Sequence, residues 1–231
     1  FVGCGAIAVG TLEALGVALA FGLVIAVLVL VLGPVSGAHL NPAVSVALAA
    51  IGLVRWTRAA TYALAQAGGA ITGALLLHLA LGPSAPLGVT APAPSLGIGP
   101  ALVFEVALTF VLVLVIAAVV TAPGGVPPIA PVAIGGAVAL GSLVGGPVSG
   151  AAMNPARALG PALVAGRPED LWLYAVGPLA GALLAALVHG TLVRARVRQP
   201  REAVVTLVGE APSGLVSPEH ALPARPGTWP R

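Results

Sequence analysis

Two asparagine–proline–alanine triplets are the residues of this chain whose types and spacing best predict chemistry. They are Asn41, Pro42 and Ala43, and Asn154, Pro155 and Ala156. Each closes one copy of an eleven-residue segment, GPVSGAHLNPA at 33–43 and GPVSGAAMNPA at 146–156, and the copies differ at only two positions. Asparagine is a favoured helix N-cap, and proline suits the first helical position because its missing N–H is not needed there. Each triplet therefore predicts the start of a helix.

A helix that starts inside an apolar environment presents unpaired N–H groups and the positive end of its dipole. If the two halves are related by an inverted repeat, both starts meet near the middle of the membrane. Such a spot repels cations and protons, while the asparagine amides donate hydrogen bonds to a neutral molecule. The residues before each asparagine are predicted to be extended and to offer a row of carbonyl acceptors. They are Gly37, Ala38, His39 and Leu40, and Gly150, Ala151, Ala152 and Met153.

The composition places these triplets in a membrane. Hydrophobic residues make up 58% of the 231, charged residues 7%, and the mean hydropathy is +1.08. A soluble domain carries about 25% charged residues. The net charge of +3 comes with no basic face interleaved with aromatics, so we predict no nucleic-acid partner. No His/Cys/Asp/Glu cluster has metal-ligand spacing and no nucleophile lies beside a base, so we predict neither an enzyme nor a cofactor or metal.

Apolar runs define the elements that must position the triplets. Full-length helices are predicted at 14–32, 59–81, 101–121, 129–145 and 171–193, and half-length apolar stretches at 43–54 and 156–165. Irregular backbone at membrane depth is tolerated only where protein buries it or where it lines an aqueous cavity. Four spans separate Arg55 and Arg58 from the arginines at 194–201, so both clusters lie on one side. The positive-inside rule makes that side, and both termini, cytoplasmic. Residues 196–231 are predicted to be a disordered cytoplasmic tail.

The chain resembles the aquaporin, or major intrinsic protein, family. The resemblance rests on FVGCGA (1–6), GVALAFGL (16–23), SGAHLNPAV (36–44), YALAQAGGA (62–70), FEVALTF with Glu105 and Thr109, SGAAMNPARA (149–158) and LWLYAVGP (171–178). It implies an all-α, inverted-repeat, right-handed bundle of six transmembrane helices and two re-entrant half-helices, usually a tetramer with one pore per subunit. The channel domain would cover 1–195, with repeats at about 1–81 and 101–193. FVGCGA resembles the end of the family's first helix, so we expect that helix to be incomplete here.

The resemblance also implies which residues select the solute. It places Arg157 in an outer constriction with Phe21, Ser142 and Ala151, and a charge inside a membrane is by default a functional residue. Water-selective relatives usually have histidine where this chain has Ser142, which leaves more room. Relatives that pass glycerol usually have aspartate directly after the arginine, where this chain has Ala158.

These comparisons leave several functions open. The first is a passive channel in the cell membrane for water, and also for small neutral solutes, that excludes ions and protons. The alternative is a wide facilitator of glycerol, ammonia or metalloid acids. Glu105 either buttresses the second re-entrant loop by accepting its backbone N–H groups or acts as a proton-coupling carboxylate, which a coupled secondary transporter would need. A structural junction protein would need an occluded pore, and nothing in the small residues near the triplets predicts one.

Overall fold

The protein is a bundle of helices. The structure, a computed structural model, describes residues 1–198 and contains no β-strand within them. The helices are α1 (Val2–Ala8), α2 (Ala14–Ser36), α3 (Pro42–Ala50), α4 (Trp56–Leu81), α5 (Ile98–Val120), α6 (Ala130–Ser149), α7 (Pro155–Val164) and α8 (Leu171–Arg198). Five of them, α2, α4, α5, α6 and α8, are long and apolar enough to cross a membrane. The predicted tail lies outside the described residues from position 199 onward.

Both helices that lead into the repeated segments are longer than the sequence predicts. The predicted ends were residues 32 and 145, yet α2 continues to Ser36 and α6 to Ser149. Each contains a proline in its last turn, Pro34 and Pro147. Proline is tolerated there because few helical bonds remain to be broken, and a left-handed glycine then ends each helix.

Apolar side chains cover the outside of the bundle as well as its core. Leucines and valines that are at least half exposed lie on α2, α4, α6 and α8, for example Leu23, Leu64, Leu140 and Leu187. The core instead holds small residues and a few branched ones around α3, α5 and α8. This distribution suits a protein whose surrounding solvent is lipid, because apolar side chains facing outward then remain in an apolar medium.

Helices α2 and α6 cross at a symmetric contact made of small residues. A Cβ placed on Gly22 would lie 2.6 Å from the Gly135 carbonyl oxygen and from the Ala139 Cβ. A Cβ placed on Gly135 would overlap the Gly22 carbonyl oxygen and lie 2.7 Å from the Ala26 Cβ. Gly22 and Ala26 match Gly135 and Ala139 at the 113-residue offset of the repeat. The contact is therefore reciprocal, and small residues let the two backbones approach closely.

We expect Gly22→Ala to lower the free energy of unfolding by about 1–3 kcal/mol, because the added methyl overpacks the crossing with α6. The apparent melting temperature in detergent should fall by roughly 2–4 °C for each kcal/mol. Gly136→Ala is the matched control, because a Cβ there meets nothing within 4 Å. Equal melting temperatures for the two variants would contradict close packing at this crossing.

Candidate functional site

Each half-helix begins at an asparagine that caps its own N-terminus. The Asn41 side-chain oxygen accepts a hydrogen bond from Ala43 N at 2.9 Å, and α3 begins at the next residue. The Asn154 oxygen accepts from Ala156 N at 3.0 Å and from Arg157 N at 3.2 Å at the start of α7. Both caps leave the amide nitrogens free to bond elsewhere.

Those amide nitrogens join the two halves. Asn41 Nδ2 donates to the carbonyl oxygen of Met153 at 2.8 Å, and Asn154 Nδ2 donates to that of Leu40 at 2.9 Å. The two half-helix starts, far apart in the chain, therefore meet and hold each other. Two of the carbonyls predicted to face a solute, those of Leu40 and Met153, are used in this reciprocal pair of bonds.

The loops that precede the asparagines are not extended, contrary to the sequence-based expectation. Gly37, Ala38 and Leu40 have φ values of +82°, +47° and +53°, and the matching residues of the second loop repeat the pattern. The chain has to turn from the end of a long helix into a half-helix within a few residues, and left-handed residues make such turns. Non-glycine residues adopt this region at a cost of order 1–3 kcal/mol each, so the surrounding contacts must hold them there.

The Glu105 carboxylate lies beneath the second loop. It is fully buried on α5 and accepts hydrogen bonds from Ala152 N and Met153 N, both at 2.8 Å, and from Ser149 Oγ at 2.7 Å. Both carboxylate oxygens are thus engaged by loop donors. A carboxylate that accepts two backbone N–H groups and a hydroxyl holds that backbone in one conformation.

A tyrosine on the helix that follows each half-helix donates a hydrogen bond to the start of the loop. Tyr62 on α4 donates its hydroxyl to the Ser36 carbonyl oxygen at 2.9 Å, and Tyr174 on α8 donates to that of Ser149 at 2.7 Å. Ser36 and Ser149 are the same position of the repeat. The two loops are therefore anchored in the same way at their helix ends.

Arg157 lies against an aromatic ring and a backbone carbonyl. Its guanidinium carbon is 4.9 Å from the centroid of the Phe21 ring, and its Nη1 donates to the Gly88 carbonyl oxygen at 2.7 Å. Its Nε is buried and has no partner among the residues that the structure describes. A buried donor that lacks a partner costs about 1–3 kcal/mol.

The other two predicted constriction residues, Ser142 and Ala151, are small, and the Ala151 N–H donates to Ser149 Oγ at 3.2 Å. Ala151 is 5% exposed, and a Cβ on Gly145 of α6 would lie 3.2 Å from its methyl group. Ser142 is partly buried on α6, and within the described part of the chain its hydroxyl has no hydrogen bond to Arg157 or to any other group. The structure brings Phe21 and Arg157 into contact, but it shows no such contact for Ser142.

His39 lies in the loop between α2 and α3 and is partly buried. Its ring packs edge-to-face against Tyr62 with the ring centroids 4.8 Å apart. Its Nδ1 lies 3.0 Å from the Ser45 hydroxyl oxygen, to which Gln66 Nε2 donates at 3.3 Å.

Comparison with known proteins agrees with this geometry. Residues 1–189 match the family model of the major intrinsic protein, MIP. This chain belongs to the major intrinsic protein family. The chain is 44% identical over 201 residues to Aquaporin NIP1-4 of Oryza sativa subsp. japonica, covering 83% of this chain and 71% of the relative. It is 41% identical over 216 residues to the lens fiber major intrinsic protein of Gallus gallus, covering 92% and 81%.

A solved structure shares the fold of this major intrinsic protein. The aquaglyceroporin from Plasmodium falciparum superposes with a TM-score of 0.71 and 24% sequence identity, and the match covers 84% of this chain and 90% of that one. The predicted fold class, an all-α membrane bundle of the aquaporin type, is confirmed. The proteins to which the chain is similar are aquaporins, not enzymes.

Sequence reasoning predicts a loop at 82–100, which the structure has between α4 and α5, but it misses the contacts of that loop with the second repeat. Besides the Gly88 carbonyl on Arg157, Ala93 N donates to the Val148 carbonyl oxygen at 2.9 Å. A Cβ on Gly150 would lie 3.2 Å from Thr90. The stretch is rich in proline and glycine, a composition that indicates a loop but does not reveal what the loop contacts.

We expect Gly88→Ala to destabilise this major intrinsic protein more than Gly10→Ala. Both glycines have positive φ, +70° and +67°, and a Cβ on Gly10 would meet nothing within 4 Å. Only at Gly88 would the new Cβ press on Cys4, at 3.2 Å, and disturb the carbonyl that holds Arg157. A hydrogen bond to a charged group contributes about 1.5–3 kcal/mol. The Gly88 variant should therefore melt several degrees lower in detergent, and equal melting would contradict this role of the loop.

Proposed function

We propose that this protein is a passive channel that conducts water through the membrane and excludes ions and protons. The observation that carries the proposal is the reciprocal pair of bonds between Asn41 and Met153 and between Asn154 and Leu40. These bonds bring two helix N-termini together, and each amide nitrogen keeps a second N–H that is not used in them. The Asn-Pro-Ala triplets would thus form the centre of the pathway.

Donors and acceptors on both sides of the asparagines support water as the solute. The Arg157 guanidinium lies beside the apolar Phe21 ring and has further N–H groups besides the one that donates to Gly88. The backbone carbonyls of Gly37, Ala38, Gly150 and Ala151 accept none of the cross-loop bonds. A water molecule both donates and accepts hydrogen bonds, so it would exchange its bulk partners for these groups as it passes.

Positive electrostatics support the exclusion of cations and protons. The N-termini of α3 and α7 present the positive ends of their dipoles, equivalent to about half a charge each. Arg157 adds a full positive charge near the start of α7. A cation that lost its hydration shell in this region would meet repulsion from all three sources.

A wider solute range is the second candidate function. Ser142 and Ala151 are small, so a constriction that they formed with Phe21 and Arg157 would be wide enough to pass glycerol, ammonia or uncharged metalloid acids as well as water. The aquaglyceroporin from Plasmodium falciparum has the same fold. A coupled transporter is less well supported, because both oxygens of the Glu105 carboxylate are occupied by the loop donors and would serve as its buttress instead.

The proposed setting is a homotetramer in the cell membrane with both termini in the cytoplasm. The apolar outer faces of α2, α4, α6 and α8 would contact lipid or neighbouring subunits. Arg55 and Arg58 are exposed at the start of α4, where they would mark the cytoplasmic side. Residues 1–195 would form the channel domain, with the repeats at about 1–81 and 101–193 and the tail at 196–231 on that same side.

Stopped-flow light scattering on proteoliposomes that hold the full chain tests the proposal. A sucrose gradient should shrink the vesicles several-fold faster than it shrinks empty ones, and a proton-sensitive dye inside should report no added proton leak. Shrinkage at the rate of empty vesicles would refute water conduction. A flux that required a proton or sodium gradient would instead support the coupled transporter.

Ser142→His should lower glycerol permeability while sparing water permeability, because the ring narrows the constriction and adds a donor. The same vesicles, challenged with sucrose and then with glycerol, give both values. We expect glycerol re-swelling to slow by about tenfold, which corresponds to roughly 1.4 kcal/mol. An equal loss of both fluxes would contradict Ser142 as the residue that widens the constriction.

A further inference from the structure

Thr109 carries a buried hydroxyl group that is unpaired among the residues that the structure describes. The residue lies on α5, one helical turn after Glu105, and both side chains are fully buried. Buried hydroxyl groups in proteins are nearly always paired, either with another protein group or with an ordered water molecule. The Thr109 hydroxyl therefore calls for a partner that is not a protein group.

Other threonines of the long helices satisfy their hydroxyl groups within their own helix. Four of them donate to a carbonyl oxygen three or four residues earlier, at distances of 2.7–3.0 Å. These threonines are Thr61, Thr72, Thr121 and Thr191. The equivalent bond of Thr109 would go to the carbonyl oxygen of Glu105, and it is not formed. The hydroxyl group thus remains available to a partner outside the α5 backbone.

The Glu105 carboxylate offers an unused acceptor one turn away. Each carboxylate oxygen has two lone pairs. Oε1 accepts from Ser149 Oγ and Ala152 N, whereas Oε2 accepts from Met153 N alone. One lone pair of Oε2 is therefore free of bonds to the described residues. Side chains four residues apart on a helix have Cβ atoms about 5–6 Å apart, so a single water molecule can reach both of these groups.

A proline in α8 releases a backbone acceptor at the same level. Pro178 is buried inside α8 and has no N–H to donate to the carbonyl oxygen of Tyr174, four residues earlier. The two helices are close together there, because a Cβ placed on Gly177 would lie 2.7 Å from the Glu105 Cβ. The Tyr174 hydroxyl and the Glu105 carboxylate also bond the same residue, Ser149. The Tyr174 carbonyl therefore lies beside the Glu105 turn of α5.

We propose that a resident water molecule is bound between α5 and α8, where it accepts a hydrogen bond from the Thr109 hydroxyl and donates to Glu105 Oε2 and to the Tyr174 carbonyl oxygen. Three hydrogen bonds are the usual number for a buried water molecule. Each polar group that the fold leaves over is then paired, and the carboxylate that holds the second loop gains its fourth bond. This water is part of the structure, and its binding does not depend on the proposed channel function.

A crystal structure of the full chain, at a resolution that shows ordered water, tests the site directly. We expect one density peak within hydrogen-bonding distance of Thr109 Oγ1, Glu105 Oε2 and the Tyr174 carbonyl oxygen. A structure without density at that point would overturn the proposal. So would a Thr109 hydroxyl that bonds the Glu105 carbonyl oxygen, because the site would then have lost its donor.

Thr109→Val removes the hydroxyl group and keeps the shape of the side chain. We expect the density peak to vanish and the melting temperature in detergent to fall by about 2–6 °C, because two acceptors lose their donor. Thr61→Val is the matched control, because Thr61 is exposed on α4 and its hydroxyl bonds only its own helix. The control should melt like the wild-type protein. A Thr109→Val protein that melts at or above the wild-type temperature would contradict the proposal, since removal of a truly unpaired hydroxyl relieves a cost.

Thr109→Ser separates water binding from packing. This variant keeps the hydroxyl group and loses a methyl group, so the water density should persist even where the lost methyl lowers the melting temperature. Loss of the density in Thr109→Ser, or its persistence in Thr109→Val, would show that the hydroxyl does not hold the water. Vesicles that conduct no water would refute the channel function and leave the density and the melting temperatures unchanged.

Discussion

Two half-helices begin within an apolar bundle, and the polar groups at their N-termini must find partners there. The rest of the structure depends on which partners these groups find. Each asparagine uses its side-chain oxygen for its own helix and its amide for the opposite loop. Neither half satisfies its loop without the other, because the carbonyls of Leu40 and Met153 find their donors across the repeat. An unpaired buried polar group costs about 1–3 kcal/mol, so this mutual dependence fixes where the two starts meet.

The starts of the two half-helices can meet only if the long helices pack closely together. Gly22 and Gly135 allow α2 and α6 to cross with their backbones nearly in contact. Helices α7 and α4 also lie close together, where Gly160 faces the carbonyl of Ala70. In lipid there is little hydrophobic drive for helices to associate, so close packing of small residues contributes much of what holds them. The small residues at these helix crossings thus help to bring together the half-helix starts that the asparagines join.

The two halves share this framework but differ in the groups that stabilise their loops. Glu105 holds the second loop from below through two backbone N–H groups and Ser149. At the first loop, His39 and Gln66 instead meet at the buried Ser45 hydroxyl, and His39 packs against Tyr62. Arg157, held by Phe21 and by the Gly88 carbonyl, has no counterpart in the first half. A repeat that is symmetric in backbone therefore presents different chemistry on its two sides.

The sequence by itself determined the membrane class, the repeat, the half-helix starts and the approximate helix positions. Each of these follows from local chemistry: apolar run length, asparagine capping, proline at the first helical turn, and the recurrence of eleven residues. The ends of α2 and α6 were misplaced, because a proline in the last turn of a helix looks in sequence like the point at which it stops. Only the tertiary structure decided the contacts that join distant segments. The amide of Asn154 on the Leu40 carbonyl, the carbonyl of Gly88 on Arg157 and the left-handed loop residues depend on backbone atoms that every residue type shares, so no pattern of side chains reveals them.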